Sequence, residues 1–159
     1  MNVWYVNSIL GTFRLEEEND AICGLTLCPD GVPELEPLPR KVCETPLLQE
    51  AEEQLNEYFA GARREFDLPL APKGTPFQKA VWAEMCRIPY GETRTYGQIA
   101  AQIGRPTACR AVGMANNRNP IAIVVPCHRV VGSTGALVGY AGGLGVKTHL
   151  LNLEKAHED

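Results

Sequence analysis

Cys127, His128 and Arg129 follow Pro126 without a break in the stretch IVVPCHRVVG, residues 123–132. Cysteine is the most nucleophilic side chain in the chain, yet a free thiol with a pKa of about 8.5 is only a few per cent ionised at neutral pH. An adjacent imidazole can take the thiol proton, and a guanidinium can add positive potential that favours the thiolate. The pattern therefore points to nucleophilic thiol chemistry. Its competitor is a buried structural cysteine beside a surface histidine. Consecutive side chains on extended backbone point to opposite faces, so a direct Cys127–His128 hydrogen bond needs a turn, or else a bridging water.

The elements around this run have to hold it. Residues 121–125, IAIVV, are apolar and mostly β-branched, which predicts a buried strand. Pro126 lacks a backbone donor and biases Val125 towards extended geometry, so the ladder should stop there and present Cys127 at the strand's exit. Downstream, GSTGALVGYAGGLG carries glycines 132, 135, 139, 142, 143 and 145, too many for a packed element, with Tyr140 in their midst. GLGVKTHLLNLEKA closes the chain as a helix with Leu144, Leu150, Leu151 and Leu153 apolar. Glu154 stands near its end and, taken alone, reads as a solvated carboxylate.

Upstream, Thr75 is a good N-cap with Pro76 at the first helical position, opening a helix whose Phe77, Val81, Trp82, Met85 and Ile88 share a face. Thr95 with Gln98 forms a capping box for a short helix with Ile99, Ala100 and Ile103 inward, ended by Gly104. After Arg105 and Pro106, Thr107 can cap a second helix, ACRAVGMANN, lined by Ala108, Ala111, Gly113 and Ala115. Two short helices about a tight turn make a helix-turn-helix candidate. Small side chains let its backbone approach another surface, with Arg110 in the first turn and Asn116, Asn117 and Arg118 at the end. A solvated helical hairpin with a surface arginine is the alternative.

The N-terminal third is different. Runs of β type are broken at Leu10-Gly11, Glu18-Asn19-Asp20 and Pro29-Asp30-Gly31, predicting two or three antiparallel strands. A helix follows in PLLQEAEEQLNEYFAGAR, with Gly61 its stop, and residues 67–78 read as a linker. Charge divides at the same place. Residues 1–72 carry 5 Lys and Arg against 14 Asp and Glu, whereas residues 73–159 carry 10 against 5. A polyanionic partner is thus expected only for the second part, 73–159. No apolar run reaches the roughly 18 residues of a membrane span, and MNVWYVNSIL lacks an export signal's basic start, so a cytoplasmic protein with reduced thiols is expected. Cys23 and Cys28 form no CxxC pair, and His128, His149 and His157 all lie at the far end, so no metal site is expected.

Together these segments resemble the O6-alkylguanine-DNA alkyltransferase family (methylated-DNA–protein-cysteine methyltransferases) of bacterial type. The likeness spans about Thr75 to Glu154 and is carried by FQKAVW, IPYGETRTYGQIA, RAVGMANNRNP, IVVPCHRVVG, GYAGGL and LLNLE. The resemblance implies an α+β protein: residues 1–72 a small ribonuclease H-like α/β scaffold with an antiparallel sheet, and residues 73–159 a mainly helical, winged-helix-like DNA-binding and alkyl-transfer domain with the helix-turn-helix. Cys127 would accept the alkyl group of O6-alkylguanine, with O4-alkylthymine as a second candidate substrate, irreversibly and once per molecule. His128 would act as base through a water, and Glu154 would orient the histidine. Asn119 would brace the loop, and Tyr96 would donate towards guanine N3. Arg110 would fill the gap left by a flipped nucleotide, with Thr95, Tyr96, Ala111, Gly113, Asn116 and Arg118 also against DNA. Val130, Tyr140, Ala141 and Gly142 would line the base pocket. Ala141 replaces the serine of some relatives, so backbone donors must serve guanine O6.

The implied partner is double-stranded DNA approached through the minor groove by a monomer, with no cofactor, metal or membrane. A module that binds alkylated bases without transfer is the alternative, and a cysteine hydrolase or redox protein built on Cys127 and His128 is a third reading.

Overall fold

The computed structural model describes residues 1–37, 39–135 and 143–157, and the chain divides into two compact units, Met1–Pro72 and Lys73–Asp159. In the first, β1 (Asn2–Ser8), β2 (Gly11–Glu18) and β3 (Ala21–Cys28) form an antiparallel meander. β4 (Lys41–Val42) adds parallel to β1, giving the order β3-β2-β1-β4. The turn between β2 and β3 is built by Asn19 and Asp20, both at positive φ (54° and 61°), a conformation these two side chains tolerate better than most. Along β2, Phe13 and Leu15 are buried while Arg14 and Glu16 pair with each other on the opposite face.

Helix α1 (Pro46–Phe59) covers the apolar side of the sheet with Leu48, Ala51, Leu55 and Tyr58, capped by Thr45, whose hydroxyl accepts the Leu48 N–H. Trp4 Nε1 donates to Glu52 Oε1 on that helix at 3.3 Å. The expected linker is partly fixed structure. Ile22 exchanges backbone hydrogen bonds with Pro69 and Ala71 (both 2.8 Å), and the Asp67 N–H donates to Gln54 Oε1. Ile22's outward backbone groups need partners as any strand edge does, and Pro69 and Ala71 supply them.

The second unit is mainly helical. Helix α2 (Pro76–Met85) starts at the Thr75–Gln78 capping box and buries Val81, Trp82 and Met85. Strand β5 (Arg94–Thr95) leads into α3 (Tyr96–Gln102), which opens on the Thr95–Gln98 capping box and ends at Gly104, φ +76°. Helix α4 (Cys109–Asn117) packs on both α2 and α3, and its Ala115 carbonyl accepts a 2.8 Å hydrogen bond from the buried Trp82 indole. Its N-cap is Ala108, with no side-chain cap; Thr107 stands one residue too early. Strand β6 (Val130–Val131) pairs parallel with β5, and α5 (Leu144–Ala156) closes the unit.

Residues 121–125 bury Ile121, Ile123 and Val125 but are not a strand. They form a coil of turns in which Val125 N–H bonds the Ile121 carbonyl and Ile123 sits at φ +70°. Asn119 makes this possible. Its Nδ2 donates to the carbonyls of Ile121 (3.2 Å) and Val125 (2.8 Å), and its Oδ1 accepts the Ile121 N–H. A side-chain amide thus supplies hydrogen bonds that a ladder would otherwise have to provide.

Gly74 lies under the Trp82 ring, where an added Cβ would stand 2.5 Å from ring carbon, whereas a Cβ at Gly113 meets nothing within 4 Å. Gly74→Ala should therefore destabilise the chain by about 1–3 kcal/mol through overpacking. Gly113→Ala, in a helix interior, should stabilise it by roughly 0.5–1 kcal/mol. Thermal and urea unfolding of the two variants would give shifts of opposite sign, and shifts of the same sign would contradict this packing.

Candidate active site

Cys127, His128 and Arg129 form one turn of 3-10 helix between the 121–125 coil and β6. All three side chains are buried. With a turn in place of extended backbone, consecutive side chains no longer have to point to opposite faces. Arg129 and His128 both turn towards α5 and meet Glu154, which is not solvated at all but fully buried.

Four hydrogen bonds converge on that carboxylate. His128 Nε2 lies 2.6 Å from Oε2, and Arg129 Nη2 donates to the same oxygen at 2.9 Å. Arg129 Nε donates to Oε1 at 2.8 Å, and the Gly91 backbone N–H to the same oxygen at 3.1 Å. Arg129 Nη1 reaches the Ile88 carbonyl at 2.7 Å, and its guanidinium lies 5.7 Å from the centre of the Tyr90 ring. Burial alone would raise the Glu154 pKa; the hydrogen bonds and charges of His128 and Arg129 outweigh it and hold the carboxyl well below the usual carboxylate range. An ionised Glu154 accepts only, so Nε2 of His128 must carry its proton. Burial pushes the His128 pKa down, against the pull of Glu154. The neutral imidazole therefore keeps its lone pair on Nδ1, which is buried and, among the described residues, without a hydrogen-bond partner.

Two further groups stand near the sulfur. Lys147, on α5, is fully buried and its Nζ donates to the Val130 carbonyl at 2.5 Å. Burial lowers its pKa, while the nearby Cys127 sulfur favours the charged form. Burial and Cys127 together raise the pKa of the half-buried Tyr96, so its hydroxyl stays protonated at neutral pH and able to donate. This neighbourhood can therefore favour ionisation of a thiol, accept its proton and donate to a ligand. Among the described residues no three His, Cys, Asp or Glu side chains gather as a metal site would require.

The structure brings Cys127, His128, Glu154, Asn119 and Tyr96 into one region, with Val130 buried beside them. Tyr140, Ala141 and Gly142 lie outside the described residues. Arg110, Ala111 and Arg118 are exposed on α4, Gly113 is half-exposed, and Thr95 caps α3. Asn116 differs from expectation: it is buried, because it falls with Val112 and Ala115 on the inward face of α4. Arg129 differs too, since its charge is spent on Glu154. The residue that sequence reasoning missed is Lys147. Its signal was periodicity, since positions 147, 150 and 154 share the buried face of α5 and two of them are charged.

Two family models cover the chain. Residues 3–72 match the 6-O-methylguanine DNA methyltransferase ribonuclease-like domain, and residues 76–156 match the DNA binding domain of the same family. A methylated-DNA–protein-cysteine methyltransferase of Methanosarcina barkeri is 64% identical over 107 residues, covering 67% of this chain and 68% of that protein. The constitutive methylated-DNA–protein-cysteine methyltransferase of Bacillus subtilis is 50% identical over 149 residues, 92% of this chain and 90% of its own. The crystal structure of Mycobacterium tuberculosis OGT in complex with DNA superposes with a TM-score of 0.90 at 43% identity, covering 99% of this chain and 94% of that one.

Both buried titrating groups of the cluster have folded pKa values below their ordinary ones of 6.5 for His128 and 4.5 for Glu154. Each takes up a proton more readily in the unfolded chain, so acid favours unfolding. The His128 contribution is complete above its ordinary value and is lost as pH falls below it; that of Glu154 follows below its own. The thermal midpoint should therefore fall between pH 8 and pH 4, and a flat or rising profile would contradict the network. Arg129→Met leaves the buried carboxylate short of its main partner and should cost about 3–5 kcal/mol in urea unfolding at neutral pH.

Proposed function

The chain belongs to the 6-O-methylguanine DNA methyltransferase family, and on that premise we propose that it repairs DNA by moving the alkyl group of O6-alkylguanine onto its own Cys127, once per molecule. One observation carries the reading: the 2.6 Å contact of His128 Nε2 with an ionised, buried Glu154, which leaves Nδ1 as the proton acceptor of the site. His128 takes the thiol proton by way of a water. Lys147 stabilises the sulfur anion. The logic is that of a Ser-His-Asp triad with a thiol as nucleophile.

The thiolate attacks the alkyl carbon, an S–C bond forms as the O6–C bond breaks, and guanine departs. Tyr96, donating towards guanine N3, eases that departure, and the net exchange is alkyl to sulfur and one proton to guanine. A thioether has no easy route back to a thiol, so a molecule that has reacted is spent. No cofactor takes part.

DNA is engaged by the second unit, whose basic balance suits a polyanion. The uncapped N-terminus of α4 leaves backbone N–H groups for phosphate, and its small residues suit the narrow minor groove. Arg110, exposed in the first turn, occupies the space of the flipped nucleotide. Flipping costs a few kcal/mol, least at a damaged and weakly paired base, and this difference selects lesions without reading sequence. O4-alkylthymine offers the same exocyclic ether and is the second substrate.

Incubation with duplex DNA carrying O6-methylguanine should add one methyl mass to the peptide bearing Cys127, at one equivalent per protein. Recovery of many repaired lesions per molecule, or a methyl on another residue, would falsify the reading. His128→Ala should slow transfer by about 100-fold or more, the usual worth of a positioned base, while duplex binding is kept. Arg110→Ala should weaken binding and lower its salt slope by about one unit.

A further inference from the structure

The outward face of α4 carries something the transfer mechanism does not use. Val112, Ala115 and Asn116 point inward, and Arg110, Ala111, Met114, Asn117 and Arg118 are exposed. Met114 is 62% exposed, one of the few large apolar side chains of the second unit so placed. It falls four residues after Arg110, on the same side of the helix. At 1.5 Å per residue the two are about 6 Å apart along the axis, roughly two base steps.

Its surroundings define what it can meet. Gly113 beside it leaves open space, with no atom within 4 Å of where a Cβ would stand, and Ala111 is small. The charged residues of α4 and its C-cap are Arg110 and Arg118, and the helix contains no acidic residue. The face is therefore a protruding, flexible thioether with cations on either side. Phosphate walls around a floor of sugars and base edges have the complementary pattern, and methionine is one of the wedges that minor-groove proteins press between base steps.

We propose that Met114 is a further DNA-contacting residue, an apolar wedge that packs on the minor-groove floor about two base steps from Arg110 and resists closure of the duplex around the flipped nucleotide. The proposal rests on the DNA-repair reading above and adds a positioning residue to it.

The test uses the full chain with Cys127→Ser, which should bind without transfer, and a labelled duplex carrying O6-methylguanine beside a 2-aminopurine that brightens on unstacking. Met114→Ala should weaken binding about five- to tenfold and dim the 2-aminopurine signal, with Met114→Leu restoring both. An apolar contact releases no counterion, so the salt slope should stay unchanged in Met114→Ala, whereas Arg110→Ala should lower it. Wild-type affinity and signal in Met114→Ala overturn the proposal. So does a fall in the thermal midpoint shared by Met114→Ala and Met114→Leu, which would mark the side chain as structural. If the parent Cys127→Ser chain fails to bind duplex DNA, the repair reading itself falls; if it binds and only Met114 proves inert, that reading stands and the wedge is gone.

Discussion

A carboxylate taken out of water has to be matched by donors, and Glu154 is where the second unit meets that demand. Its oxygens accept from the imidazole of His128, twice from the guanidinium of Arg129, and from the backbone of Gly91. The donor residues come from two places: the 3-10 turn of Cys127–Arg129 supplies two, and the loop after α2 supplies the third. Arg129 extends the tie to the Ile88 carbonyl, three residues past the last residue of α2. The last helix, the nucleophile's turn and the loop feeding α3 are thus set by one buried anion. Removing either partner strands a charge, so the geometry tolerates little drift.

That constraint also distributes charge around the thiol. Arg129 is neutralised by Glu154, and burial keeps His128 uncharged. Among the described residues Lys147 is a further cation beside the sulfur, held at the Val130 carbonyl on the strand that follows the turn. Two basic residues next to Cys127 in sequence therefore do something other than electrostatic activation. One clamps a carboxylate and the other is held as an oriented neutral imidazole, while a lysine some twenty residues further on stands beside the sulfur.

This division explains what the chain's letters could convey. Capping residues announce themselves locally: Thr75 with Gln78 and Thr95 with Gln98 open their helices as the residue pattern requires, because a cap is a contact between residues three apart. The antiparallel strands of the first unit follow from alternation and turn residues in the same way. The 121–125 run misleads because apolar, β-branched residues report burial and not hydrogen bonding. Whether a ladder or a side-chain amide satisfies the backbone depends on Asn119, which looks like any other loop asparagine. Thr107 misleads for a related reason, since a good capping residue does not fix where a short helix begins. Glu154 and Lys147 were hardest, because in isolation a charged residue near a helix end is a solvated one. Only their spacing with Leu150 on the inward face of α5 marks them as buried.

The family resemblance and the physical reading reach Glu154 by separate routes, and the physics adds a reason for the role. A carboxylate left exposed could accept a proton as readily as it orients a histidine, and either tautomer of the imidazole would then be available. Burying it under Arg129 and Gly91 keeps it ionised across the neutral range, so the histidine's inner nitrogen must remain a donor and its outer one an acceptor. The donors that make the anion tolerable in the core are therefore the same groups that fix the tautomer of the histidine next to the thiol. Stability and chemical direction share one set of hydrogen bonds, which is why neither Glu154 nor Arg129 can be changed for one purpose alone.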